Sequence, residues 1–297
     1  MSNDQSRSGL VTLVGRPNSG KSTLLNHLVG EKISIVTEKP QTTRHVIRGI
    51  LTRSEGQMVL LDTPGVHKPI HRMNSVMMRS VRDSLADVDV VALMVDAAQP
   101  FGKGDRFVLD LVSPLPIMKV LILNKIDRVK KPEVLPLMDQ YSKLAKFEDI
   151  VPISALNGEN VETLIKVLFK LLPQGPPLYP EDQLSDRQER SIAAEIVREK
   201  VIQRTEQELP YSTAVTIDRF EEGETLCRIY ATVHVERETQ KGIVIGKGGK
   251  LLKEVGIAAR QDLEKLLGRQ VYLEIRVRVT AGWRDNDATL KEFGVGS

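Results

Sequence analysis

The run Gly15-Arg16-Pro17-Asn18-Ser19-Gly20-Lys21-Ser22 constrains this chain most, because it matches G-x-x-x-x-G-K-[ST] in full. It follows an apolar, β-branched run at 10–14 and opens an amphipathic stretch at 21–29. Strand, glycine loop and helix in that order make a phosphate cradle. Glycines let successive backbone N–H groups close around an anion, and the helix N-terminus adds partial positive charge. In such a cradle Lys21 reaches the β- and γ-phosphates of a nucleoside triphosphate, Ser22 is a Mg²⁺ ligand, and Thr23 extends the contact run. An ordinary glycine turn before a helix would lack this complete spacing.

Three further motifs stand at strand ends and select the base. Asp62-Thr63-Pro64-Gly65 closes the run 58–61; Asp62 is expected to hold Mg²⁺ through water, and the Gly65 N–H to sense the γ-phosphate. Asn124-Lys125-Ile126-Asp127 closes the run 120–123. The Asp127 carboxylate suits the ring N–H and exocyclic amine of guanine, a donor pair that adenine lacks. Ser154-Ala155-Leu156 follows the run 150–153, where a backbone N–H can meet the guanine carbonyl. The order resembles translation-factor-type GTPases. Gln41-Thr42-Thr43-Arg44 then falls at their first switch, with one threonine as a Mg²⁺ ligand: Thr43 is favoured, with Thr42 close behind. Lys21, Thr43 and Gly65 are the expected catalytic groups, and GTP/GDP with Mg²⁺ the expected ligands.

One catalytic part is missing. Many small GTPases carry a glutamine after D-x-x-G that orients the attacking water. Here Val66 stands there, and no arginine declares itself as a finger. Hydrolysis by the isolated chain should be slow. GTPases with Gly-x-Pro-Asn-x-Gly-Lys-Ser and an apolar residue at this place often use K⁺ as an accelerating charge, with the asparagine as a ligand. Asn18 is the candidate here, although a loop-stabilising role explains it equally well. His67 and His71 lie in the expected second switch, 66–74, with Pro69 between them; a solvated loop is expected there rather than a helical metal pair.

Alternating strand-like and amphipathic runs over 9–172 imply an α/β domain with a mostly parallel sheet. The segment 45–52 reads as a further strand, in a hairpin with the next. Four prolines within 173–180 mark a stiff linker, taken as 173–186. From 187 to 297 the order is helix, strand, strand, helix, helix, strand, a small α+β domain. The expected organisation is therefore a P-loop GTPase domain at 1–172, the linker, and a second domain with a tail. The one cysteine, Cys227, excludes an internal disulfide framework, and residues 1–8 lack a signal-peptide core, so a cytoplasmic location is expected.

In the second domain, Ile243-Val244-Ile245-Gly246-Lys247-Gly248-Gly249-Lys250 places Gly-x-x-Gly between helical stretches. KH domains clamp about four nucleotides with such a turn. Gly246, Gly248 and Gly249 would permit close approach, Lys247 and Lys250 attract phosphate, and Ile243 and Ile245 line the groove for bases. A plain helix–helix turn could carry the same residues, but the element order is that of the type II KH fold. Charge agrees: 241–278 holds nine Lys or Arg against four Asp or Glu, whereas the whole of 187–297 is nearly balanced at 19 against 18. Trp283, the only tryptophan, could stack on a base or pack on its own domain.

The motifs Gly-Arg-Pro-Asn-Ser-Gly-Lys-Ser, Gln-Thr-Thr-Arg-His, Asp-Thr-Pro-Gly-Val and Asn-Lys-Ile-Asp, joined through a proline-rich linker to Val-Ile-Gly-Lys-Gly-Gly, resemble the Era family of bacterial GTPases over almost the whole chain. The resemblance implies binding to the 3′ end of 16S rRNA, assistance in small ribosomal subunit assembly and rRNA maturation, and peripheral association with the inner membrane. It also implies coupling between nucleotide state and RNA binding; a monomer is expected. The competing expectation is a signalling GTPase whose C-terminal domain binds protein or membrane instead of RNA.

Overall fold

The computed structural model describes residues 6–69, 71–206 and 209–296. They form two compact units. The first comprises 6–33, 43–69 and 74–186; the second comprises 34–42, 71–73, 187–206 and 209–296.

The first unit is built on a six-stranded sheet. Its strands are β1 (Arg7–Gly15), β2 (Ile47–Arg53), β3 (Gly56–Asp62), β4 (Val90–Asp96), β5 (Met118–Asn124) and β6 (Asp149–Ile153), in the order β2-β3-β1-β4-β5-β6. Only β2, joined to β3 by a hairpin, runs antiparallel. The interior strands are apolar almost throughout because both faces are covered. Helices α1 (Lys21–Val29) and α5 (Val161–Leu171) cover one face through Leu24, Leu25, Leu28, Leu164 and Leu168. On the other face α2 (Arg72–Asp83), α3 (Lys103–Val112) and α4 (Lys131–Ser142) contribute Met78, Val81, Val108, Val112 and Tyr141. The chain leaves β1 for one side of the sheet and later returns for the other. The crevice beyond the C-terminal end of β1 is thus a topological switch point, where ligands of such sheets bind.

The proline-rich segment, expected as a stiff linker between the domains, groups with the first unit. Gln174 pairs with Arg7 and Ser185 with Gly49, and the Ile50 N–H donates to the Leu184 carbonyl at 2.9 Å. The reason is the edge of β2, whose unpaired backbone groups need partners. Proline cannot donate to a ladder, but the intervening residues can.

The second unit carries α6 (Glu189–Arg204), the single turn α7 (Leu209–Ser212), β7 (Ala214–Glu221), β8 (Leu226–Val235), α8 (Glu238–Ile245), α9 (Lys250–Leu267) and β9 (Gln270–Val279). A tail helix, α10 (Asp287–Glu292), follows. The sheet order is β7-β8-β9, with β8 and β9 parallel. That is the expected type II KH order. Two segments expected in the GTPase domain also group here. In 34–42 the Val36 N–H donates to Glu199 Oε1 at 2.9 Å, and the Thr42 carbonyl accepts from Arg198. In 71–73 the Arg72 guanidinium bonds both Asp287 oxygens at 2.8 Å. The contacts of 34–42, with the Arg198–Glu195 and Lys200–Asp262 pairs at 2.6 Å, explain why α6 buries charged residues that a core helix normally excludes.

Candidate functional site

The P-loop leaves β1 at Gly15 and turns into α1 at Lys21. Lys21 is only 6 % exposed, and its ammonium donates to the Gly15 and Arg16 carbonyls at 3.2 Å each. Burial lowers its pKa to about 8, against a partly compensating pull from Asp62. Such a buried ammonium, held by neutral carbonyls at the mouth of a helix N-terminus, is poised for an anion.

Three oxygens meet beside it. The Ser22 hydroxyl donates to Asp62 Oδ2 at 2.6 Å and stands 2.9 Å from Thr43 Oγ1. Asp62, at the end of β3, is fully buried. A carboxyl group and two hydroxyls form a hard oxygen donor set that fits Mg²⁺. Of the two candidate threonines, Thr43 stands at this cluster. Thr42 instead directs its hydroxyl to Thr37 and the Lys39 carbonyl.

The other motif residues divide into those that face the cradle and those that build it. The Thr63 hydroxyl donates to the Leu13 carbonyl at 2.7 Å and so fastens β3 to β1. Gly65 passes so close to Pro17 that a Cβ would lie 2.7 Å from its backbone, which excludes any other residue. Val66 donates its N–H to the Gly15 carbonyl at 3.0 Å, and its side chain is 1 % exposed within the core. The position that holds a water-orienting glutamine in other GTPases is therefore part of the core here. Next to it, His67 Nδ1 lies 2.8 Å from the Gly65 carbonyl while His71 is exposed. Among the described residues no group of His, Cys, Asp and Glu is arranged to hold a metal ion by itself.

Asn124 bridges three motifs. Its amide donates to the Ser19 carbonyl at 2.8 Å, and its side-chain oxygen accepts the Ala155 N–H at 2.9 Å. Lys125 donates to the Asn18 carbonyl at 2.7 Å and to Asp96 at 2.6 Å. Asn18 is exposed in the left-handed region at φ 63°, a conformation that asparagine tolerates better than most residues. Asp127 sits exposed on the turn Ile126–Arg128. Ser154 is buried and its hydroxyl accepts the Asn157 N–H at 3.2 Å, which shapes the loop. A cavity of about 410 Å³ opens here, with Thr23, Asn26, Ala155 and Leu156 in its lining.

Sequence reading missed two carboxylates. Asp96 ends β4 opposite Asn124, and only the parallel register places it against Lys125. Asp105 accepts from the Gly102 N–H at the start of α3 and pairs with Arg16 of the P-loop at 2.8 Å. The position of Asp96 at a strand end was the available signal for the first. The spacing Gly102-x-x-Asp105, a cap at a helix start, was the signal for the second.

In the second unit, Gly246, Gly248 and Gly249 have φ of 73°, 60° and 77°, so the Gly-Lys-Gly-Gly turn needs glycine at all three. Lys247 and Lys250 project into solvent. Val244 is buried, Ile245 is half-buried and Ile243 is 51 % exposed, a presentation that suits a groove floor. Trp283 is fully buried, and its ring N–H donates to the Ser212 carbonyl at 3.0 Å. It packs on its own domain and is not a base-stacking residue.

Fold and site together define a P-loop GTPase with a C-terminal KH domain. Two family models match accordingly: a 50S ribosome-binding GTPase model over residues 10–125 and a KH domain model over 208–284. The GTPase Era of Staphylococcus haemolyticus (strain JCSC1435) is 45 % identical over 289 residues, covering 97 % of each chain. A crystal structure of Era in complex with MgGDPNP and nucleotides 1506–1542 of 16S ribosomal RNA is 40 % identical and matches with a TM-score of 0.95 over 98 % of this chain and all of that one. A crystal structure of a point variant of Aquifex aeolicus Era bound to GDP.AlF4⁻ matches equally well, with a TM-score of 0.95 at 41 % identity over 98 % of this chain and 100 % of that one. The chain belongs to the Era family of GTPases.

Proposed function

We propose that this GTPase is a slow, GTP-dependent switch that binds the 3′ end of 16S rRNA through its KH turn and assists assembly of the small ribosomal subunit and rRNA maturation. The observation that carries the reading is the pairing, in one chain, of the Lys21–Ser22–Thr43–Asp62 cluster with a left-handed Gly-Lys-Gly-Gly turn between two helices. The related Era structure with MgGDPNP and a 16S rRNA segment supports both halves.

Lys21 supplies positive charge to the transferring phosphoryl group, and the Gly65 N–H bonds its oxygens. Ser22, Thr43 and Asp62 hold Mg²⁺, which supplies charge neutralisation across the β- and γ-phosphates. Asp127 pairs with the guanine edge. Asn124 and Lys125 keep the loops in register with one another. With Val66 in the core, no side chain follows Gly65 to orient water, so the chain depends on an added charge. Asn18 is the proposed K⁺ ligand. Location in the cytoplasm with peripheral contact at the inner membrane, and a monomeric state, follow from the family resemblance. No helix among the described residues is long and apolar enough to cross a membrane.

The test compares hydrolysis in KCl and NaCl at equal ionic strength. A role for Asn18 predicts a rate at least about tenfold higher in KCl, lost in Asn18→Asp, because a positioned cation acts on transition-state charge. Equal rates in the two salts would refute the K⁺ role.

A further inference from the structure

The KH sheet has one covered and one open face. On β8, Cys227, Ile229, Ala231, Val233 and Val235 point inward, each at most 1 % exposed. The alternate residues Arg228, Tyr230, Thr232 and His234 therefore point to the opposite face. Register brings Tyr272, Glu274, Arg276 and Arg278 of β9 alongside them, in that order. From β7, Glu221 lies beside Arg228 and Arg219 beside Tyr230. The tail covers only one end of this face, where Phe293 stacks on His234 with ring centroids 4.4 Å apart.

The remainder is an aromatic and arginine surface. The Tyr230 and Tyr272 rings are in contact, 6.0 Å between centroids, and Arg219 lies over the Tyr230 ring at 5.4 Å. Tyr272 is 48 % exposed. The chain has only five tyrosines, so two adjacent ones on an open face are more than a solvated sheet needs. Arg219 pairs with Glu221, and Arg276 pairs with Glu274 at 2.8 Å. Arg228 and Arg278 form no ion pair among the described residues, so two guanidinium groups of this face remain outside its ion pairs. The Gly-Lys-Gly-Gly turn joins α8 to α9, which pack on the covered face, and Gly256 of α9 lies beside Ile275, so the turn stands towards the Arg278 end of the edge strand β9. A chain passing from the turn around that edge meets Arg278 and Arg276 before Tyr272.

We propose that this open face is a second contact for single-stranded RNA. Tyr272 and Tyr230 stack on bases beyond those held at the turn, and Arg228, Arg276 and Arg278 hold the phosphates between them. Flat rings suit bases of any sequence, and guanidinium groups suit the backbone. The proposal rests on the KH reading of the turn, which clamps about four nucleotides and leaves a longer RNA to be held elsewhere.

The test measures binding of the full chain to unstructured oligoribonucleotides of roughly five and roughly twelve nucleotides, short and long relative to the clamp. The unaltered chain should bind the longer one at least about tenfold more tightly. Tyr230→Ser with Tyr272→Ser should remove about tenfold of affinity for the longer RNA and leave the shorter unchanged. Arg276→Glu with Arg278→Glu should do the same, with a shallower salt dependence, and settles the question if the tyrosine variant does not fold. Lys247→Asp should weaken both lengths. Unchanged long-RNA affinity in a folded tyrosine or arginine variant overturns the proposal, as does equal loss at both lengths. Failure of the unaltered chain to bind either RNA overturns the KH reading and this proposal with it.

Discussion

At the scale of residues, Lys21 makes the sharpest claim. Its ammonium is buried among carbonyls and its pKa is lowered to about 8 by desolvation. A bound phosphate would stabilise the charged form and raise that pKa. Below about pH 8 the ammonium is already present, so binding takes up no proton; above it, binding must take one up. GTP affinity should thus be flat near neutrality and fall by up to about tenfold per pH unit above about pH 8. Calorimetry in buffers of different ionisation enthalpy would show uptake of more than half a proton at roughly pH 8.5 and almost none at roughly pH 7. In the proposed mechanism Asp127 carries the base choice. Asp127→Asn should shift preference from GTP to xanthosine triphosphate by at least about tenfold, because the asparagine oxygen still accepts the ring N–H while its amide N–H donates to the carbonyl that xanthine carries in place of the guanine amine. Unaltered preference in competition binding would reject the assignment. Lys21 and Asp62, which the structure brings together, were legible because their chemistry fixes both residue type and spacing. The choice between Thr42 and Thr43 was not, since adjacent identical residues differ only in where the backbone points them. Asp96 and Asp105 became visible only when strand register and the start of α3 brought them to Lys125 and Arg16.

At the scale of elements, period-2 and period-3.6 patterns located every strand of the sheets, with ends displaced by a few residues. β1, expected at 10–14, begins at Arg7, since β-bridging to Gly56 extends it beyond its apolar run. The helix expected first after 187 is α6, Glu189–Arg204. Within it Glu195, Arg198, Glu199 and Lys200 are buried, contrary to an amphipathic pattern. Glu195 pairs with Arg198 within the helix, while segment 34–42 and Asp262 supply partners to Arg198, Glu199 and Lys200, and no local pattern foretells partners so distant in sequence. The proline segment was readable as a non-helix but not as the cover of the β2 edge. Trp283 shows the same limit: residue type allowed stacking or packing, and the Ser212 carbonyl decided for packing. Trp283→Ala should destabilise the second unit by about 3–5 kcal/mol, the usual effect of removing a fully buried large aromatic. Denaturant unfolding would measure it, and GTP affinity should remain unchanged.

For the whole molecule, the two units carry separate chemistries in the same order as the motifs in the sequence. The nucleotide site is assembled at strand ends of the first unit, and the left-handed glycine turn stands between helices of the second. Domain content was legible because each unit has its own periodicity and its own glycine motif. The grouping of 34–42 and 71–73 with the second unit was not, because both segments lie within the first unit's stretch of sequence. The central claim, a GTPase that reads ribosomal RNA through its KH turn, is tested most directly by the affinity of the full chain, with a non-hydrolysable GTP analogue, for an RNA of the 3′-terminal 16S rRNA sequence and for a scrambled RNA of equal length. The account predicts binding at least about tenfold tighter to the natural sequence, lost when Lys247 and Gly248 are both replaced by Asp. Equal affinity for the two RNAs, or affinity untouched by the double substitution in a folded protein, would contradict it.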